Sequence, residues 1–266
     1  MELSYLSIAP QPPAILSGQL SAFEPITLAE MEGVALLDRS EVKYVFAQSL
    51  LPTALERLSN AYRVLVVAGK PYSHYRTLYF DTADLALYRR HHAGALDRYK
   101  VRTREYLDSH AAFLEVKHKI GERHTVKERI PIRPPATVRT PQAADFLARA
   151  CPYPADALSP SVLNLYTRIT LVGKGRAERV TLDLGLTFAR DGQRVTLPGI
   201  VVAEVKYSGP RRGSEFMELM HRLHVREAGF SKYCLGISLL YPEVKHNRFK
   251  PKQRLIVRLL QERSGS

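Results

Sequence analysis

The stretch FLEVKHK (113–119) sets a carboxylate and two ammonium groups on alternate positions between apolar neighbours. Alternation with period two is the mark of a strand, whose successive side chains leave opposite faces. Glu115, Lys117 and Lys119 therefore share one face, opposite Leu114 and Val116. The Glu-Val-Lys triplet recurs in VVAEVKY (201–207) and stands earlier in RSEVKYV (39–45). Parity then places Glu204 and Lys206 on one face of the later strand. It places Arg39, Glu41 and Lys43 together on the earlier one.

Other segments repeat the pattern. In RYKVRTREY (98–106), Arg98, Lys100, Arg102 and Arg104 lie together, opposite Tyr99, Val101 and Thr103. HTVKERI adds Lys127 and Arg129, YTRI adds Arg168, and RVTLDL adds Arg179 and Asp183. For a single antiparallel strand, charge on one face ordinarily means a face turned to water. Here at least five strands carry long cations that outnumber the neighbouring carboxylates. Like charges on adjacent strands of an open sheet lie within ~5 Å and destabilise it. Convergence of these faces around a bound polyanion removes that conflict, with the apolar faces turned outward under helices.

The whole chain supports that reading. It has 266 residues, with 39 Lys and Arg against 26 Asp and Glu, a formal charge of +13. Such an excess calls for an anionic partner. Nucleic acid is disfavoured, because the cations alternate into strands without the aromatic stacking platform single strands use. Cys151 and Cys234 have no metal spacing, and the nine histidines form no convincing ligand set; those of RRHH and HRLH read as surface groups. No apolar run approaches a membrane span, and the N-terminus MELSYLSIAPQPPAIL lacks a signal-peptide core. These features predict a cytoplasmic address.

Residues 1–30 are rich in Pro and Ser and read as irregular, apart from a short helix from Thr27. SLLPTALERLSNAY reads as a helix with Pro52 in its first turn. Strands fill most of 62–130, and TPQAADFLARA follows as a helix capped by Thr140. Strands resume over 161–207. SEFMELMHRLHV and SKYCLGISLLY are helical, and the basic tail 246–266 ends in an amphipathic helix. No strand–helix–strand unit carries a glycine-rich phosphate loop. The expected architecture is α+β: a closed antiparallel β-barrel with a basic lumen and helices packed outside, forming one domain over 31–245.

SEVKYVF, TLYFDTADLALYRRHHAGALDRYKVRTREY, FLEVKHKIGERHTVKERI, YTRI, RVTLDLGLTF, VVAEVKYSG and FSKYCLGI stand in the order and spacing of the VTC domain. The chain thus resembles, from about Leu37 to Tyr241, the polyphosphate-polymerase module of the triphosphate tunnel metalloenzyme superfamily. The resemblance implies a barrel whose lumen holds triphosphate or polyphosphate. It implies phosphate contacts by Lys43, Arg102, Arg104, Lys117, Lys127, Arg168, Lys206 and Lys232. Arg39, Arg76, Lys100, Lys119 and Arg129 are further candidates. Glu204 matches the family's metal-binding glutamate, for Mn²⁺ or Mg²⁺, with Glu115, Asp183 and Glu41 as additional carboxylates.

One departure bears on activity. Members that hydrolyse triphosphate or cyclise ATP carry Glu-x-Glu-x-Lys on the first strand, whereas this chain has Arg39 at the first position. That favours the polymerase branch: transfer of the ATP γ-phosphate to polyphosphate. The alternatives are an inorganic triphosphatase or polyphosphatase, and a binding module without turnover. The basic tail leaves open a membrane-protein partner.

Overall fold

The computed structural model describes residues 14–32, 40–122, 124–133 and 138–261. In chain order the elements are α1 (Ala14–Leu20), β1 (Glu24–Ile26), α2 (Leu28–Glu32), β2 (Ser40–Ala47), α3 (Leu51–Leu58), β3 (Tyr62–Leu65) and β4 (Ser73–Asp81). Then come α4 (Ala86–Ala93), β5 (Arg98–Tyr106), β6 (Ala111–Ile120), β7 (His124–Pro131), α5 (Pro141–Ala150) and β8 (Ser159–Gly173). The chain continues with β9 (Glu178–Arg190), β10 (Gln193–Tyr207), α6 (Glu215–Arg222), α7 (Lys232–Leu240) and α8 (Lys250–Gln261).

Helix starts follow the capping residues in the sequence. The hydroxyls of Thr140, Ser214 and Ser231 accept from the amides of Ala143, Met217 and Cys234. Thr27 and Glu30 form a reciprocal capping box at α2. The irregular segment expected over 1–30 needs correcting, because α1 and β1 lie within it. Leu16 and Leu20, one turn apart, are buried with Leu51, Leu55 and Leu58 of α3. β1 pairs in parallel with β3. That apolar spacing is easily missed among the prolines.

Both strand-rich stretches join one sheet. Its main path runs β2-β10-β9-β8-β4-β5-β6-β7, every neighbouring pair antiparallel, with β3 attached to β8 off the path. The expected closed barrel is corrected here: β2 and β7 are the two ends of the path, and no pairing joins them. β7 carries Lys127, Glu128 and Arg129 in succession and is largely exposed. Charge of that kind keeps an edge strand from pairing.

The sheet nevertheless curls. Lys117 on β6 lies within electrostatic reach of Glu41 and Lys43 on β2 and of Glu204 and Lys206 on β10. β10 and β6 are five strand spacings apart on the path. In a flat sheet that is about 24 Å, beyond any effective interaction across salt water. The charged face is therefore concave, and its two ends face one another.

The convex face carries two apolar cores. One joins β2, β8, β9 and β10 to α1, α3 and α6. The other joins β4, β5 and β6 to α5. The concave face is not charged throughout. Val45, Val162, Leu186, Phe188, Ile200 and Val202 line one end, and α7 and α8 pack there, burying Tyr233, Ile237, Leu240 and Ile256. A Cβ at Gly236 would meet Val162 at 2.7 Å and Phe188 at 2.8 Å, so only glycine lets α7 lie this close to the sheet. The expectation that all helices lie outside is thus corrected for α7 and α8. Among the described residues no helix is long and apolar enough to cross a membrane.

Candidate functional site

The open end of the concave face gathers most of the side chains singled out by parity. Cross-strand register puts Lys100 opposite Lys117 and Lys117 opposite Lys127. Arg102 stands opposite Glu115, which stands opposite Arg129, and Arg98 opposite Lys119. On the facing wall Lys43 pairs with Glu204 and Glu41 with Lys206. Arg168 lies opposite Asp183 between the walls.

Three carboxylates are each held by at least two cations. Glu115 is 1% exposed. It accepts from Arg102 Nε at 2.7 Å and Lys127 Nζ at 2.6 Å, with Arg104 Nη1 at 4.0 Å. Asp183 accepts two bonds from Arg168, 2.6 and 2.8 Å, and a third from Lys232. Glu204 lies 2.5 Å from Lys206 and 3.3 Å from Lys43, while Glu41 lies 2.5 Å from Lys43. Burial alone would raise the carboxyl pKa values. Arg168 and Lys232 instead hold Asp183 at about 2, and the cations around Glu115 and Glu204 keep both well below the usual range.

The row Lys100–Lys117–Lys127 is different in kind. Among the described residues neither Lys100 nor Lys117 forms an ion pair. Lys100 Nζ meets only the Ser231 hydroxyl, at 3.2 Å. Burial, reinforced by Lys117, Lys43 and Arg102, brings Lys100 down to about 8. Burial likewise brings Lys127 down to about 8 despite Glu115. Like charges directly opposed across strands are unfavourable. A bound polyanion relieves them.

A pH dependence follows. Above pH 8 Lys100 and Lys127 lose their protons, so affinity for tripolyphosphate is expected to fall between pH 7 and pH 9. Their contribution to the stability of the free chain runs the other way. Between pH 8 and the ordinary lysine value the unfolded chain binds more protons, so stability rises with pH. Calorimetric titration at several pH values checks the first trend, and Lys100→Met should flatten it. Constant affinity from pH 7 to 9 would refute it.

Other expectations resolve individually. Arg76 lies on the convex face, opposite Glu105 in register and 3.2 Å from its carboxylate. The phosphate contact expected of it is corrected, because Tyr75, Thr77 and Tyr79 are the β4 residues in register with the inward side. Arg129 shares the inward parity, but its guanidinium lies over the Phe113 ring at 4.5 Å. Lys119 sits opposite Thr125 and Arg98, toward the end of the lysine row. Arg39 lies outside the described residues.

The structure adds three groups. The Tyr166 hydroxyl is buried and has no hydrogen-bond partner among the described residues. Burial opposes its ionisation, yet Arg104 and Arg168 bring its pKa below the ordinary value. Its place two residues before Arg168, on the same face, was the available signal. Ser231 meets Lys100 from the α7 N-terminus. His91, read as a surface group, is half-buried with Nε2 3.1 Å from the Tyr99 carbonyl. Burial and Lys100 push it down to about 2, so it is neutral.

Glu41 and Glu204 both touch the Lys43 ammonium, so two carboxylate groups already converge on one cation. No cluster of three or more His, Cys, Asp or Glu suited to a metal occurs among the described residues. Two carboxylates with phosphate oxygens are a sufficient set for Mg²⁺ or Mn²⁺. The donor chemistry fits a metal shared with substrate.

A family model of the VTC domain matches residues 38–241. No match was found among curated proteins. Among solved structures, a candidate adenylate cyclase from Bacillus halodurans is similar with TM-score 0.51 at 12% identity, over 77% of this chain and 100% of that one. A Hippeastrum protein described as an adenylyl cyclase with dominant triphosphatase activity is similar with TM-score 0.48 at 16% identity, over 74% of this chain and 94% of that one. At such identity the Bacillus likeness speaks to the fold alone.

Proposed function

The chain belongs to the VTC domain family, and from that premise we propose that it transfers the γ-phosphoryl group of ATP to the end of a polyphosphate chain held on the concave face. The observation carrying this reading is the opposed row Lys100–Lys117–Lys127, in which, among the described residues, only Lys127 meets a carboxylate, that of Glu115. A linear polyphosphate supplies the missing negative charge along the row.

In the proposed reaction a terminal phosphate oxygen of the chain attacks the γ-phosphorus of ATP. The bond from that phosphorus to the β,γ-bridging oxygen breaks, and ADP leaves with the electron pair. The nucleophile is already anionic, so no general base is required. None of the histidines near the face is needed as one. Transfer of this kind has a loose transition state, and catalysis is alignment and charge stabilisation. Arg102, Arg104 and Arg168 offer planar paired donors to phosphate oxygens, whereas Lys43, Lys117, Lys127, Lys206 and Lys232 act as point charges. Bound Mn²⁺ or Mg²⁺ would draw on Glu204 and Glu41 and neutralise donor phosphates.

Purified protein incubated with ATP and Mn²⁺ is expected to show internal phosphoanhydride signals in ³¹P NMR, with matching ADP. Orthophosphate without internal signals would overturn the proposal in favour of hydrolysis, and unchanged ATP in favour of binding alone.

A further inference from the structure

The three residues that open α7 reach three different strands. Ser231 accepts from Lys100 of β5, and Lys232 donates to Asp183 of β9. The third, Tyr233, donates its hydroxyl to Asp81, the last residue of β4. The proposed function uses Lys100 and Lys232 and leaves the contact of Tyr233 with Asp81 unexplained.

Asp81 is 1% exposed. Besides Tyr233 it accepts the amides of Thr82 at 2.8 Å, Leu87 at 2.9 Å and Tyr88 at 3.0 Å. With the Thr82 hydroxyl at 3.5 Å, it is a buried carboxylate with five donors and, among the described residues, no ion pair. Two of those amides belong to the first turn of α4, and the phenol belongs to α7. Tyr233 is itself 1% exposed. Its ring lies 5.1 Å from that of Tyr79 and meets Tyr88 and His91 edge-on at 6.5 and 6.0 Å. A buried anion shared by two helices is a joint.

Successive helix residues point about 100° apart. Tyr233 is thus turned about 100° from Lys232, and Ser231, the extended N-cap, precedes it, so the two anchors bracket Lys232 and fix its direction. We propose that Tyr233 and Asp81 are positioning residues for Lys232, setting the rotation of α7 about its axis so that the ammonium is held among the phosphate-binding cations. This rests on the functional reading above.

The test is a double-mutant cycle read on polyphosphate affinity and on melting temperature. Tyr233→Phe keeps the ring and deletes the hydroxyl. It is expected to weaken binding roughly tenfold, the scale of one hydrogen bond to a charged group. In a Lys232→Ala background the same change should cost about twofold or less, because the residue it acts through is gone. The melting temperature should fall equally in both backgrounds. Equal loss of affinity in both backgrounds, or no loss in either, would overturn the inference. If Tyr233→Phe does not fold, Asp81→Asn, which keeps one acceptor for the α4 amides, enters the same cycle with the same expectation. Failure of the unaltered chain to bind polyphosphate would sink the functional reading and this inference together. Binding by the unaltered chain with undiminished binding by the variant would sink the inference alone.

Discussion

Asp183→Ala is expected to lower the free energy of unfolding by about 3–5 kcal/mol, the loss seen when one member of a buried ion cluster is removed. For a chain of this length that corresponds to a melting temperature on the order of 10 °C lower. The Asp183 side chain is 2% exposed and neutralises Arg168 and Lys232 together. Arg168 is further enclosed by the rings of Tyr75 and Tyr166, 5.0 and 5.4 Å from its guanidinium carbon. Without the carboxylate, two cations stay buried beside an unbonded tyrosine hydroxyl. Tripolyphosphate should restore part of the loss, since its oxygens can take the place of the missing carboxylate. Acid should act in the same direction. A carboxyl held at about 2 when folded stabilises the chain above the ordinary aspartate value, and that contribution vanishes as pH falls through the folded value. Urea denaturation gives the number. A change below about 1 kcal/mol would mean that Asp183 does not hold Arg168 and Lys232 as a buried ion cluster.

Arg102→Ala is expected to lower turnover by about 10²–10³, the usual effect of removing one preorganised donor from a charge-stabilising site. Arg102 lies between the lysine row and Arg104 on the concave side of β5. Glu115 keeps Lys127 and Arg104 when Arg102 is lost, so the fold should survive with a near-native melting curve. Arg102→Lys should recover little, because a point charge does not replace a planar pair of donors. ADP release in the presence of polyphosphate is the assay. Turnover within about twofold of the unaltered chain would remove Arg102 from the machinery.

Much of this architecture could be read from alternation and capping. Thr140, Ser214 and Ser231 marked helix starts, and the parity of Lys117, Arg102, Lys206 and Arg168 identified the face they share. Closure could not be read, because it depends on whether β2 and β7 pair, and neither sequence encodes its partner. Parity also fails across irregular register. The β8–β9 register shifts near Tyr166, and Gly185 on β9 takes a left-handed φ of 61°. That shift places both Asp183 and Phe188 on the concave face despite their odd and even numbers. Without it the apolar end that receives α7 is invisible. Arg76 shows the converse: a cation inside a cationic region is easily counted as inward until its register partner, Glu105, is known.

The central claim is that the charged sides of β2, β10, β8, β5, β6 and β7 enclose one anion-binding space. A crystal structure of the protein with tripolyphosphate tests it directly. The prediction is a single phosphate chain touching Arg102, Lys117, Arg168 and Lys206 at once. Phosphates scattered over the convex surface, with those four residues still occupied by their carboxylates or by water, would contradict it.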